Sequence, residues 1–315
     1  MKPLLYLEGS SGISGDMTVA ALLDLGGNRE KLEEVLHSLL LEEFKYTISR
    51  KSSHGISGCD FDVQLLPEKS HGHEHEHEHG HGHHHEHRNL ADVYAVIDRG
   101  TMSERARDLA KKIFRIVAEA EAQAHGCPID EVHFHEVGAI DSIVDIVASA
   151  VLIDDLGIEE CIVSGLSEGC GFVHCQHGEL PIPVPAVVNI AQEFGITLRP
   201  TETRGEMITP TGIAIAAALR TTKKLPDAFT IEKTGIGLGK REFGHANVLR
   251  AMLITPAPNP EQIILVEANI DDASGETLAF AMEKLFENGA RDVHFVPCFM
   301  KKNRPAYLLL SLIHI

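Results

Sequence analysis

Residues 3–26 read PLLYLEGSSGISGDMTVAALLDLG, and the reading of this stretch decides the fold class. PLLYLE is a short apolar strand. GSSGISGD is a loop rich in glycine and serine. MTVAALLDLG repeats its apolar residues at helical spacing and stops at Gly26 and Gly27. A strand, a glycine-rich loop and a helix in succession form a unit of α/β type.

Outward from that unit the pattern stays mixed. A second helix is expected over 28–41, and the alternating runs 44–50 and 59–66, separated by HGISG, are expected to pair as a hairpin. LADVYAVIDRG and the segment from Ser103 to His125 have helical spacing, with Ser103 as the start and Gly126 as the stop. A short strand is expected at 132–135, then a turn at Gly138, a helix to about 156 and a strand near 161–164. Prolines 181, 183 and 185 keep GFVHCQHGELPIPVPA extended until AVVNIAQEFG begins a helix. MITPTGIAIAAAL is a loop running into a helix, and IEKTGIGLGKREF is a glycine-rich hairpin or loop before a strand at 248–254.

TPAPNPEQ, residues 255–262, is the best linker, with three prolines in eight residues. Beyond it come a strand (263–268), a helix (275–289) and strands at 292–298 and 306–313, the first part of a ferredoxin-like sandwich. The last strand, LLLSLIHI, reads as a long apolar edge without a covering helix, so this domain is expected to be cut short; the alternative is a short strand buried at the centre of a small sheet. The fold class is therefore mixed α/β. An N-terminal α/β domain (1–254) carries a disordered His-rich loop (70–88), and a partial ferredoxin-like domain (263–315) follows the linker.

Composition narrows the chemistry. Against 46 Asp and Glu stand 28 Lys and Arg, a formal charge of -18 that disfavours nucleic acid and anionic membranes as partners and suits metal cations. Six cysteines without a Cys-x-x-Cys pair suggest reduced thiols. The apolar start is far too short for a signal peptide, and the most apolar segment, 143–156, is broken by three aspartates. A cytoplasmic protein is expected; the pattern leaves a homo-oligomer open.

Residues 71–88 read HGHEHEHEHGHGHHHEHR. Ten imidazoles, on His71, His73, His75, His77, His79, His81, His83, His84, His85 and His87, alternate with glutamate and glycine, unlike an uninterrupted terminal tag. The run has no apolar period and cannot bury enough surface to offset its ordering entropy. Imidazole suits nickel, copper and zinc, so the segment is a candidate transition-metal binder, or a solvated run with no task.

VHFHEVGAIDSIVD is the densest ionisable cluster elsewhere. His133 and His135 share a strand face, Glu136 lies at the turn, and Asp141 and Asp145 share a helix face. His133, His135, Glu136 and Asp141 are candidates for acid-base work or for a divalent ion; equally, Asp141 could cap the helix and the histidines be core groups. Cys175 with His177, and Cys170 with His174, make only half-sites for a soft ion. Three turns could cradle phosphate: GSSGISGD, with Ser11, Gly12, Ser14, Gly15 and Asp16; TPTG, with Thr209, Thr211 and Gly212; and GIGLGKR. None ends as a Walker A motif does.

Taken in order, SGISGDMTVAALLDLG, the His-rich insert, HFHEVGAIDSIVDIV, HGELPIPVPA, RGEMITPTG, ANIDDASGE and MKKNRPAYLL resemble the nickel-insertion proteins that complete the nickel-pincer cofactor of lactate racemase. The resemblance covers nearly the whole chain. It implies a nickel chelatase of the lyase class that inserts Ni(II) into pyridinium-3,5-bisthiocarboxylic acid mononucleotide, with one carbon–nickel and two sulfur–nickel bonds. CTP hydrolysis and Mg or Mn are implied too, with the CTP site in the second domain and apo-lactate racemase as the cofactor's acceptor. Family members continue beyond MKKNRPAYLL, so a second domain half built at Ile315 is expected. In that setting His135 or Glu136 would act as base, and GSSGISGD or TPTG would hold the mononucleotide phosphate. The rival reading is a nickel store or metallochaperone without catalysis.

Overall fold

The computed structural model describes residues 4–41, 44–66, 89–132, 140–175, 178–222, 224–257 and 263–314. These divide into two compact units, Met1–Thr255 and Pro256–Ile315.

In the first unit the chain runs β1 (Leu4–Glu8), α1 (Gly15–Leu25), α2 (Arg29–Ser38), β2 (Phe44–Ser53), β3 (Ile56–Leu65), α3 (Leu90–Arg99), α4 (Glu104–His125) and α5 (Ile140–Asp155). It continues with β4 (Glu160–Val163), β5 (Leu166–Cys170), β6 (Phe172–Cys175), β7 (Gly178–Pro181), α6 (Pro185–Phe194), β8 (Leu198–Arg204), α7 (Pro210–Leu219), β9 (Phe229–Leu238) and β10 (Val248–Pro256). The main sheet has the order β2-β3-β9-β10-β1-β4. It is mixed: β1 pairs antiparallel with β10 and parallel with β4.

Alternation along β1 explains the layering. Leu5 and Leu7 point into the large core built with α1, α4, α5 and α7, while Leu4 and Tyr6 join Ile162, Met252 and Ile254 in a small cluster on the other face. α7, with the sequence PTGIAIAAAL, is buried at every residue from Thr211 to Leu219. A helix that is apolar all round belongs at the centre, and its alanines let α1, α4 and α5 approach it closely.

Helix ends follow local chemistry. Ser14, Asn28, Asn89, Ser103 and Thr209 each accept an amide hydrogen bond as N-caps. Gly26 and Gly126 close α1 and α4 in the left-handed conformation, as expected from the sequence. The hairpin of β2 and β3 is also present, extended to a tight turn at His54–Gly55.

Of the hairpin or loop expected for the glycine-rich stretch before Lys240, the structure favours the hairpin: the stretch is the end of strand β9, hydrogen-bonded beside the following β10, and it lies directly on α1. A Cβ at Gly235 would collide with the Ala21 carbonyl, and one at Gly237 with the Met17 carbonyl, so these glycines serve backbone-on-helix packing rather than a turn. β5 and β8, which have no strong sequence signal, form a separate parallel pair. The strand expected at 132–135 lies, beyond Val132, outside the described residues, as does the His run.

The second unit comprises β11 (Ile263–Ile270), α8 (Gly275–Glu287), β12 (Ala290–Met300) and β13 (Arg304–His314). Its sheet order is β11-β13-β12, antiparallel throughout. The apolar last strand is thus central, not an edge: its leucines are flanked on both sides by hydrogen-bonded neighbours, which is how the structure satisfies a run that an exposed edge would not tolerate. No helix among the described residues is long and apolar enough to cross a membrane.

Candidate functional site

The starts of α1, α5 and α7 converge. The loop before α1 and the loop before α7 are joined by a bridge between Ile13 and Ile208, with Ile13 N donating to Met207 O at 3.0 Å and Thr209 N to Ile13 O at 3.0 Å. Gly12 has φ +85° and sits against Met207, where a side chain would strike the Met207 carbonyl. Gly212 lies equally close to Ile13 and Ser14. Thr211 Oγ1 donates to Ser142 Oγ of α5 at 3.4 Å. Ser11 Oγ donates to Ala246 O at 2.7 Å, fastening the same loop to the segment between β9 and β10.

Glu168 on β5 holds this junction from behind. It is 1% exposed, and its Oε1 accepts from Gly169 N at 2.8 Å, Met207 N at 2.8 Å and Ile208 N at 3.2 Å. Burial pushes its carboxyl up, and the three amides offset that only in part.

In front of the junction lies a group of carboxylates around one lysine. Lys240, just beyond β9, places Nζ 2.5 Å from Asp62 Oδ1 on β3 and 3.6 Å from Asp16 Oδ2 in the first turn of α1. Asp16 Oδ1 accepts from Met17 N at 2.8 Å and from the Ser14 hydroxyl. Asp141, in the first turn of α5, accepts from Ser142 N at 2.8 Å. One turn further on, Asp145 accepts a hydrogen bond from the Asp16 backbone. Gly15 is the reason Asp145 fits: a Cβ there would lie 2.5 Å from Asp145 Oδ2.

Electrostatics differ sharply within the group. Burial raises the Asp141 carboxyl, and burial together with the charges of Asp16 and Asp141 holds Asp145 well above the ordinary carboxylate range. Asp62 is lowered by its hydrogen bonds from Lys240 and Gln64. Burial would lower the Lys240 ammonium, but the bond to Asp62 and the charges of Asp16, Asp62 and Asp145 outweigh it and raise it. Asp141 is exposed by area, and the protein packed around it nevertheless desolvates its carboxyl.

The structure therefore brings Asp141 into the field of Asp16, sets Asp145 against Gly15, joins Gly12, Ile13 and Ser14 to Met207, Thr209 and Gly212, and ties Ser11 to Ala246 and Thr211 to Ser142. His133, His135 and Glu136 lie outside the described residues. Of the amides expected to cradle phosphate, Gly12 N, Ile13 N, Thr209 N and Gly212 N are engaged inside the protein, by Gly9 O, Met207 O, Ile13 O and Thr209 Oγ1. Lys240 and Asp62 could not be paired from sequence, because they lie on elements 178 positions apart that meet only when β9 is laid beside β3.

Soft-metal ligands are less developed. None of the six cysteines forms a disulfide, and burial pushes the Cys59 thiol up to about 11 and the Cys161 thiol higher still. In the β6–β7 hairpin Cys175 faces Gly178 and His174 faces Glu179, while His177 is outside the described residues. Among the described residues no three His, Cys, Asp or Glu side chains are placed to hold a metal ion as they stand.

A mixed α/β protein with an acidic, lysine-bridged hollow at the starts of its central helices is the class that fold and site define. A family model described as nickel insertion protein matches residues 5–314, and the chain belongs to that family. A protein of Alkaliphilus metalliredigens (strain QYMF) named pyridinium-3,5-bisthiocarboxylic acid mononucleotide nickel insertion protein is 54% identical, over 98% of this chain and 78% of its own length. Proteins with the same name from Acetivibrio thermocellus and Lactiplantibacillus plantarum are 41% and 42% identical, each over 98% of this chain and over 75% and 77% of their own lengths. No solved structure matches the chain.

Proposed function

We propose that this protein inserts Ni(II) into pyridinium-3,5-bisthiocarboxylic acid mononucleotide, acting as a nickel chelatase of the lyase class in the making of the nickel-pincer cofactor of lactate racemase. The observation that carries the reading is the family match across 5–314, together with relatives named for this insertion at up to 54% identity. The acidic hollow supports it: Asp16, Asp62 and Asp141 gather around the Lys240 ammonium, which leaves net negative charge among these groups to draw in Ni(II) and the cationic pyridinium ring.

In this reading the His run, His71 to His87, gathers nickel, and His133, His135 and Glu136, which precede α5 in the chain, contribute ligands or a base. CTP with Mg or Mn acts on the second unit, whose β-α-β-β order is that of part of a ferredoxin-like domain. The product passes to apo-lactate racemase, and the work is done in the cytoplasm.

Purified protein is incubated with the mononucleotide, NiCl2, MgCl2 and CTP, and nickel in the small-molecule fraction is measured alongside racemase activation. Formation of the nickel-bound mononucleotide and an active racemase is the expected result. A protein that binds nickel yet leaves the mononucleotide metal-free under these conditions is a store, and the insertion reading is then wrong.

A further inference from the structure

Asp141 and Asp145 stand one helical turn apart on the same side of α5, and the structure treats them differently. Asp141 is open to solvent. Asp145 retains some accessible surface as a residue, but its Oδ1 has none and has no hydrogen-bond partner. Its other oxygen lies against Gly15, where there is room for a hydrogen and not for a methyl group. The charge on Asp141 is one of the causes that raise Asp145, after burial and the charge on Asp16, so ionisation of Asp141 disfavours that of Asp145. The groups that face them are Asp16 from the start of α1 and Lys240 from the β9–β10 segment, with Asp62 of β3 holding Lys240 from beyond. Lys240 favours one negative charge on the pair, whereas Asp16 opposes a second.

We propose that Asp141 and Asp145 work as one pair, in which Asp141 accepts the proton that leaves the pyridinium ring carbon as nickel bonds to it. This inference rests on the nickel-insertion reading. The carbon–hydrogen bond breaks heterolytically, its electron pair becomes the carbon–nickel bond, and the proton passes to an Asp141 carboxylate oxygen. Nickel stays divalent throughout. The exposed Asp141 then returns the proton to water. Asp145 keeps its own proton and is a positioning residue: as a neutral acid it spares Asp141 an adjacent charge that would add to the repulsion from Asp16.

The test combines titration and turnover on the full chain. Carbon-13 labelling of the aspartate carboxyls, followed by NMR against pH, is expected to show one resonance titrating well above the others. That resonance disappears in Asp145→Asn and moves to lower pH in Asp141→Asn, where the like charge is gone. In the insertion assay Asp141→Asn is expected to lose about 100-fold or more in rate at unchanged mononucleotide affinity, with Asp141→Glu recovering part of it. Asp145→Asn is expected to lose the pH dependence that the wild type shows over the range in which the Asp145 carbon titrates. An Asp141→Asn variant that inserts nickel at the wild-type rate overturns the inference while the wild-type activity upholds the insertion reading. So does an Asp145 resonance that titrates with the ordinary aspartates. A wild type that never metallates the mononucleotide removes the reading and the proton-acceptor role together, and the NMR result then stands as a statement about the pair alone.

Discussion

Lys240 and Asp62 meet at 2.5 Å, Nζ to Oδ1, and through that contact the segment after β9 is tied to β3 at the mouth of the acidic hollow. Removing the ammonium leaves Asp16, Asp141 and Asp145 without their only facing cation among the described residues. Lys240→Met is expected to lower nickel insertion by roughly ten- to a hundredfold, on the order of 1.4 kcal/mol per tenfold of rate, while the circular dichroism spectrum is unchanged. Lys240→Arg keeps the charge and is expected to retain part of the activity.

The same contact gives the protein an acid-sensitive element. Asp62 is depressed in the folded state, so the stability it adds is present above the unfolded carboxylate value of about 3.9 and is lost as pH falls through the lower folded value. Asp62→Asn is expected to melt earlier than wild type at pH 6 and to converge with it as the pH approaches 3. Thermal melts across that range measure the convergence.

Asp145 has the opposite sign. Its folded value is raised, so stability declines as pH rises from about 3.9 to that value and stays reduced above it. Asp145→Asn removes the decline. The variant is expected to melt higher than wild type at pH 8, by about 2–4 °C for each kcal/mol recovered, with the gain vanishing toward pH 4. Calorimetry at the two pH values reads the difference.

Gly237 lies on α1 with no space for a side chain, the obstacle being the Met17 carbonyl rather than a flexible group. Gly237→Ala must push strand and helix apart, at a cost at or above the roughly 1–3 kcal/mol typical of overpacked cores. A lower urea midpoint with an unchanged slope is the expected outcome.

Loss of residues 71–87 is expected to raise the nickel concentration needed for half-maximal insertion and to leave the rate at saturating nickel nearly intact. Nickel held by this segment should be released as pH falls through about 6.5, where imidazole protonates. Equilibrium dialysis of wild type and deletion variant at pH 7.5 and 5.5 checks both statements. A storage protein would lose its whole function with the segment.

Local rules made much of the first unit legible. Ser14, Ser103 and Thr209 announce helix starts, Gly26 and Gly126 announce stops, and the alternation in 44–65 announces a hairpin. What stayed hidden depends on partners distant in the chain. Glycines 235 and 237 look like turn residues until α1 lies on them, and LLLSLIHI looks like an exposed edge until β11 and β12 flank it. The hollow was half visible: Asp141 and Asp145 were placed on one helix face by their spacing, but only the folded sheet adds Asp16, Asp62 and Lys240. Glu168 gave no signal, since two of the three backbone amides that bond it come from a turn about forty residues away.

The fully buried helix α7 begins at the very turn that meets Ser14 and Gly12, and α1 and α5, its neighbours in the core, begin at the acids of the hollow. The acidic group thus has no scaffold of its own. It is the exposed end grain of the hydrophobic core, so an alanine-to-valine change deep in α7 would reach the carboxylates by tilting helices, without touching one of them. Directed changes for higher activity have little room in such a design.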